Sequence, residues 1–417
     1  MLLLSKIVFW ASVAVLFYTY LGYPIVLFVL ASVKQTARDL RFIFNRGERR
    51  TPGAPEMPGV TLVIPAYNEA DVIGAKLDNS LALDYPQEKL EIVVASDGST
   101  DATNQIVEMY AGRGVKLINY TERGGKVAAI NLTVPQASNE IVVLSDANTM
   151  YEPDALRNLV RHFSSAEVGV AVGELVFESP SREHKGEGYY WRYEVMLKFM
   201  ENKLGAILGA NGGLYAIRRE LFEPVPDTTI VDDFVIPLKI AERGYRQVYT
   251  PDARGREETA SDVQAELVRR KRIAAGNFQS ILMLWRLLNP LRGYIAFTFV
   301  SHKILRWIAP FFMATALLSN LVLITAWPLY SVLLIAQGVF YASAWAGAQT
   351  TVPVLKKLTA MPYYFVSMNM AMAEGFFNFV TSRQKVTWDK IQRQKADGGP
   401  ADEEADTSVD EDAEREK

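Results

Sequence analysis

The sequence has no cysteine and only three histidines in 417 residues, His162, His184 and His302. The first absence excludes a disulfide framework, a thiol nucleophile and any thiolate metal site. The second, with the three rings far apart in the chain, argues against a zinc site built from imidazoles. Neither a GxGxxG nor a Walker A sequence occurs, which disfavours dinucleotide binding and P-loop hydrolysis. No internal repeat is visible. Charge of either sign is nearly balanced at −3, but the balance is an average. Residues 396–417 hold ten acids against two bases, so the remainder is net basic.

Hydrophobic residues make up 49% of the chain, and they concentrate at its ends. Residues 2–33 carry one charge, Lys6. That run exceeds the roughly 20 apolar residues a spanning helix needs. It is too long for a signal peptide, and no small-residue cleavage site follows it. Lys34, Arg38, Arg41, Arg46, Arg49 and Arg50 come next, so the positive-inside rule puts this flank in the cytoplasm and the N-terminus outside. Residues 34–59 form this basic flank and a turn-rich linker. Residues 60–276 have the composition of a soluble domain, and 277–303 read as an interfacial amphipathic segment. Two spans are expected at 304–326 and 328–348, within a C-terminal membrane region at 304–382. A third apolar stretch, 361–380, carries Asn369, Glu374 and Asn378, groups that usually face protein or water. Counting it as a full span would leave Arg383, Lys385, Lys390, Arg393 and Lys395 outside, against the charge rule. A tilted or re-entrant segment resolves this. Residues 383–417 are a basic flank and then a disordered acidic tail.

In the middle, 60–66, 91–96, 115–119 and 140–146 read as strands, β-branched and apolar throughout. Segments 69–83, 100–112, 125–137 and 153–163 read as helices between them. The alternation predicts an α/β fold, a mostly parallel sheet covered on both faces. Ligands of such a sheet lie beyond the carboxyl ends of its strands. Those ends carry Glu69, Asp97 and Asp146, which suit hydroxyl groups or a hard cation such as Mg²⁺ or Mn²⁺. Asp101 and Ser99 suit helix caps. Arg123-Gly124-Gly125-Lys126 precedes a helix, a pattern that suits either a plain turn or a phosphate. Gly209, Asn211 and Gly212 belong to a flexible loop with room for a bulky substrate. Asp232 and Asp233 open a helical run, either capping it or supplying a base whose pKa a like neighbour raises. Arg269-Arg270-Lys271-Arg272 suits anionic headgroups or a diphosphate.

Seven short motifs, PAYNEA, SDGSTD, RGGK, SDAN, GANGG, VDD and RRKRI, occur in this order. Together they resemble the membrane-integrated branch of the family 2 glycosyltransferases, which includes hyaluronan, cellulose and poly-N-acetylglucosamine synthases. The resemblance covers about residues 60–290 and extends to the flanking membrane segments. It implies a GT-A nucleotide-sugar fold flanked by transmembrane and interfacial helices. It implies that Ala66, Tyr67 and Glu69 form the nucleotide end of the first strand, that Asp97 reads a uracil, and that Lys126 approaches the diphosphate. Asp146 and Asn148 fall on the Asp-x-Asp positions that hold ribose and metal. Asp233 matches the catalytic base, with Asp232 beside it. Arg269 and Arg272 match the pair that closes over the nucleotide. Asn148 stands where the motif has an acid, and Ile273 where it has tryptophan. Tyr189, Tyr190, Trp191 and Tyr193 offer either a replacement stacking platform or membrane-proximal packing.

The implied activity is inverting transfer from a UDP-sugar to a growing β-linked polysaccharide, aided by Mg²⁺ or Mn²⁺. The alternatives are one addition to a lipid-linked acceptor, and a membrane scaffold with a degenerate nucleotide site. The expected setting is a multi-pass protein of the plasma (inner) membrane with a cytoplasmic catalytic domain. No nucleic acid partner is expected, and accessory or export subunits remain open.

Overall fold

The computed structural model describes residues 1–44, 57–178, 185–258 and 263–381, without the side chains of 177–178, 185–191, 258 and 263–267. Most of the linker reading, the side chains of Tyr189, Tyr190 and Trp191, the C-terminal basic flank and the acidic tail lie outside the described residues. Helices α1 (Leu2–Phe17) and α2 (Tyr23–Phe44) are joined by a π-helical turn at Tyr18–Gly22. The α/β half follows as β1 (Val60–Ala66), α3 (Ile73–Leu81), β2 (Leu90–Asp97), α4 (Thr103–Met109), β3 (Val115–Tyr120), α5 (Lys126–Thr133), β4 (Ile141–Leu144), β5 (Thr149–Tyr151) and α6 (Ala155–Val160). It continues through β6 (Val168–Glu178), α7 (Lys185–Leu204), β7 (Tyr215–Arg218), α8 (Asp232–Glu242), β8 (Arg246–Glu258) and α9 (Val263–Met283). The chain ends in α10 (Tyr294–Thr298), α11 (Leu305–Leu323), α12 (Pro328–Gln349) and α13 (Pro353–Val380).

The eight strands form one sheet in the order β3-β2-β1-β4-β7-β6-β8-β5. The four expected strands run parallel to one another, with Val63 opposite both Val93 and Leu144, and β6 and β8 form a second parallel pair. β7 enters antiparallel between β4 and β6. The chain runs from β1 outward to β3 and then returns to β4 on the other side of β1. That reversal opens a crevice at the carboxyl ends of β1 and β4.

Alternate residues of each strand feed opposite faces. Val60, Leu62 and Ile64 pack with Ile73, Leu77, Val107 and Leu156 on one side. Val63, Val142 and Leu144 pack with Val127, Ile130, Val235 and Ile236 on the other. All the strand residues named are at most 2% exposed, which explains why the strands read as unbroken apolar runs. Truncating a core leucine such as Leu62 to alanine costs about 2–5 kcal/mol.

Among the described residues three helices are long and apolar enough to cross a membrane: Leu2–Phe44, Tyr294–Leu323 and Pro328–Gln349. The second begins ten residues before the expected 304, because α10 runs through a second π turn (Phe299–Ile304) into α11. The segment ahead of it is the end of α9 followed by two 3₁₀ turns, at Trp285–Leu288 and Pro290–Arg292. Two polar residues of α13 have protein partners. Glu374 pairs with Lys271 of α9 at 2.6 Å, and Asn369 accepts from Tyr20 at 3.3 Å. Between those contacts Gly375 lets α13 approach α9 so closely that a Cβ there would lie 2.3 Å from that of Ala274.

Candidate active site

The crevice starts where β1 ends. Ala66 is buried opposite Ser96, and the chain turns at Asn68, whose φ of 53° is left-handed. Asparagine tolerates that conformation because its short amide bonds the nearby backbone. Here Asn68 Oδ1 accepts from Thr100 N at 2.8 Å, which locks the first turn to the loop after β2. The Tyr67 ring lies 3.9 Å beneath the Arg123 guanidinium. Glu69 is buried, and its carbonyl accepts the N–H groups of Val72 and Ile73 at the start of α3. Asp101 Oδ1 accepts from the N–H of Thr103, the first residue of α4, at 2.9 Å.

Asp97 ends β2 buried, and both its oxygens are used. Oδ1 accepts from Gly124 N at 2.7 Å and Oδ2 from Gly125 N at 2.8 Å. The carboxylate therefore shapes the Gly-Gly loop, and Gly125, at φ 93°, needs its missing side chain to enter α5. Lys126 is the first residue of that helix.

From there Lys126 Nζ reaches Asp146 Oδ1 at 2.7 Å and Asp232 Oδ2 at 3.5 Å. Burial disfavours the ammonium, but Asp146, Asp232 and Asp233 outweigh it and hold the lysine above its ordinary range. Three segments distant in sequence thus meet at one cation: α5, the loop after β4 and the start of α8. On α8, burial and the like charge of Asp232 push Asp233 up to about 7. The glycine loop closes the site. Ala210 N donates to the Asp233 carbonyl at 2.8 Å. A Cβ on Gly212 would sit 3.2 Å from Asp233 Oδ2 and 3.4 Å from Asp146 Oδ2, so glycine leaves open space between the two carboxylates. Gly209, at φ 76°, lies against Phe234. Asn211 bonds outward, to Lys198 and to the Gly173 carbonyl.

The arginines of α9 face the same acids. Arg269 acts electrostatically on Asp233, and Arg272 on Asp232 and Asp233. Burial lowers the Arg272 pKa, although a guanidinium remains charged. Ile273 packs into the core on the α8 side of the sheet. Tyr193 donates to the Tyr20 carbonyl at 3.2 Å, so it packs against the N-terminal rod.

The donor set for a metal is oxygen only, as a hard cation requires. Asn148 donates its amide N–H to Glu257 Oε1 at 3.1 Å, which leaves its carbonyl oxygen for a cation. Burial and nearby Asp146 raise the pKa of Glu257, so a positive ion would relieve the charge these acids share. Among the described residues no cluster of three His, Cys, Asp or Glu ligands is assembled. Asp146 and Asn148 fit a cation whose remaining ligands come from substrate phosphates and water.

Two residues of the site were not anticipated. Glu257 comes from β8, whose sequence RQVYTPDARGREE is mostly polar, holds a proline and gave no strand signal. Lys76 is fully buried on α3, donating to the Thr149 carbonyl and lying 3.9 Å from the Tyr151 ring centroid. Burial pushes it down to about 7. A lysine next to Ile73 and Leu77 on the buried stripe of α3 was the available signal.

The mixed, mostly parallel sheet with its flanking helices has the architecture of a GT-A glycosyltransferase, and the acids at its strand ends surround one lysine. Residues 61–225 match Glycosyl transferase family 2, and the chain carries a glycosyltransferase domain of that family. It is 28% identical over 222 residues to the poly-beta-1,6-N-acetyl-D-glucosamine synthase of Staphylococcus aureus strain MSSA476, covering 51% of this chain and 53% of that one. It is 26% identical over 238 residues to the beta-monoglucosyldiacylglycerol synthase of Synechocystis, covering 55% and 50%. The chain therefore spans about half the length of the curated relatives it matches. Among solved structures it resembles the mannosyltransferase PcManGT from Pyrobaculum calidifontis in complex with GDP-Man and Mn²⁺. The TM-score is 0.64 at 25% identity, over 90% of this chain and 99% of that one.

Proposed function

We propose that the protein is a membrane-embedded inverting glycosyltransferase that moves a sugar from a UDP-sugar onto a growing β-linked polysaccharide. The observation that carries this reading is Lys126 held between Asp146 and Asp232, with Asp233 across the Gly212 gap. Asp233 takes the proton of the acceptor hydroxyl as its oxygen bonds the anomeric carbon, and the bond from that carbon to the diphosphate breaks. Attack opposite the leaving group converts an α-linked donor into a β-linked product. Lys126, Arg269 and Arg272 offset the charge that develops on departing UDP. Tyr67 and Asp97 take the uracil end, with Ala66 and Glu69 at its back. Asp146 and Asn148 hold Mg²⁺ or Mn²⁺, which would neutralise diphosphate charge when bound. The three long apolar helices lie in the plasma membrane, with the catalytic half in the cytoplasm beside the net basic flank. Residues 60–276 are the catalytic unit, and accessory or export subunits complete the path of the product.

A second reading, one addition to a lipid-linked acceptor, draws support from the Synechocystis relative, which is a glycolipid synthase by name. The test presents labelled UDP-sugars, and GDP-mannose for comparison, to purified membranes with Mg²⁺ or Mn²⁺. Polymer from a UDP-sugar supports the first reading, and a product that stops at one sugar selects the second. If no nucleotide sugar is consumed, or Asp233→Asn transfers as well as wild type, the catalytic reading fails.

A further inference from the structure

Helix α7 carries Glu194, Lys198 and Glu201 at spacings of four and three, which places them on one face. The two glutamates are fastened to the membrane-proximal helices. Glu201, only 2% exposed, accepts from Tyr23 Oη at 2.7 Å and shares a 2.5 Å bond with His302 Nδ1. Glu194 pairs with Arg306 and lies 3.3 Å from His302 Nε2. Tyr23 directly follows the first π turn, and His302 sits inside the second. The two π turns touch through Tyr18 Oη and Ser301 Oγ at 2.9 Å. π turns re-aim side chains within otherwise regular helices, and here they aim Tyr23 and His302 at α7.

Between the glutamates, Lys198 is bonded to the glycine loop and not to the membrane-proximal helices. Its Nζ donates to Asn211 Oδ1 at 2.9 Å and lies 5.3 Å from the Tyr249 ring centroid. Asn211 is in the glycine loop, one residue after the Ala210 N–H that bonds the Asp233 carbonyl and one before Gly212 between the carboxylates. The charged groups acting on Lys198 are Glu194 and Glu201 from α7, Lys303 from the second π turn and Asp233 from α8. Burial lowers this lysine to about 8, with Lys303 adding to the effect and the carboxylates opposing it. A flexible lysine stem loses rotamer freedom when pinned in this way. The flanking glutamates supply the charge that holds it there.

We propose that Lys198 is a positioning residue for the acceptor, fixing residues 209–213 over Asp233 from a helix whose own place is set by the two π-turn helices. The inference rests on the reading of that loop as the acceptor side. It separates the two halves of the site: the donor side hangs on Asp97, Lys126 and Asp146, and the acceptor side on a chain of contacts from the membrane helices. Asn211 is the joint between them.

The test uses the full-length protein in detergent or nanodiscs. UDP binding with Mn²⁺ is read by calorimetry, and transfer by KM and kcat with the UDP-sugar that wild type consumes. Lys198→Met is expected to lower transfer about 10–100-fold, the range for one charged hydrogen bond, while the UDP Kd stays within about twofold. Lys198→Arg is expected to recover part of the loss. Asn211→Leu should reproduce it, and the double variant should lose no more than either single one. Asn211→Leu leaves α7 intact, so it carries the test if Lys198→Met does not fold. Additive losses, an equal fall in UDP affinity, or undiminished transfer by Lys198→Met overturns the proposal. Wild type that consumes no nucleotide sugar instead overturns the functional reading beneath it.

Discussion

Lys126 Nζ lies 2.7 Å from Asp146 Oδ1, on the carboxylate expected to hold the divalent cation. Lysine and cation therefore compete for one oxygen when no nucleotide is present, and cooperate once a diphosphate lies between them. Lys126→Met should bind Mn²⁺ alone more tightly than wild type, because it frees Asp146. The same variant should bind UDP about 10–100-fold more weakly, as expected for losing a charged contact to phosphate. Calorimetry with Mn²⁺ alone and then with UDP checks both signs. Parallel weakening of both ligands would exclude this arrangement.

Asp233 gives a pH prediction with a definite sign. Its folded pKa, about 7, lies above the ordinary carboxylate value because of burial and Asp232. The folded state thus holds a proton that the unfolded chain has already lost, and this group's contribution to stability falls as pH rises from about 4 to 7. The base form appears only above that range, so transfer should rise through about pH 7. Bound cation would move this limb lower by offsetting Asp146. Asp233→Asn should lose about 10²–10⁴ in kcat. It should also melt above wild type at pH 8, with the difference shrinking towards pH 4. Thermal melts at the two pH values and a pH–rate profile check it.

Asp97 accepts two backbone N–H groups from the Gly124-Gly125 turn, so its loss acts through the loop. Asp97→Ala leaves two donors unmatched and frees the start of α5. The expected cost is about 1–3 kcal/mol for each unsatisfied group. UDP affinity should fall by at least tenfold, while Mn²⁺ binding without nucleotide is nearly unchanged. Asp97→Asn should lie between the two, because an amide keeps one acceptor.

Much of this was legible in the residues. The parallel strands announced themselves because both faces are buried, which removes polar alternation. The acids at their ends followed from the chain direction alone. The second half of the sheet, β5 to β8, was not legible. β5 and β7 are only three and four residues long, and β6 reads as a run interrupted by Gly173, whose hydrogen atom faces the Leu214 side chain. Glu257 stayed hidden with β8. Lys198 was hidden for a different reason: a charged residue on a mixed helix looks solvated until the partners of its neighbours are known. Asp97 was legible as a site residue, but its bond to the Gly-Gly turn was not, since spacing says nothing about which loop folds over which.

The ion pair between Lys271 of α9 and Glu374 of α13 bears on topology. Lys271 belongs to the helix that carries Arg269 and Arg272, so the end of α13 is on the side of the catalytic half. With Leu2–Phe44, Tyr294–Leu323 and Pro328–Gln349 as the spans, three crossings put the N-terminus on one side and α13 with the catalytic half on the other. A cytoplasm-dependent reporter fused to the C-terminus should be active, and one at the N-terminus silent. An active periplasmic-type reporter at the C-terminus would contradict this count.

Gly375 offers a way to disturb the arginines without touching them. A Cβ at that position would lie 2.3 Å from Ala274 Cβ and 2.8 Å from the Ala274 carbonyl carbon, both on α9. Backbone cannot swing aside as a side-chain tip can, so Gly375→Ala must push α13 and α9 apart. Overpacking of this kind costs about 1–3 kcal/mol. The shift would withdraw Arg269 and Arg272 from Asp232 and Asp233, the groups they act on. The expected result is a several-fold rise in donor KM, with Mn²⁺ binding unchanged because Asp146 and Asn148 belong to the loop after β4 and to neither shifted helix. Gly338 on α12 is the control, since nothing lies within 4 Å of a Cβ there. Gly338→Ala should leave KM and kcat at wild-type values. If both variants behave alike, the close approach of α13 does not support the arginine pair.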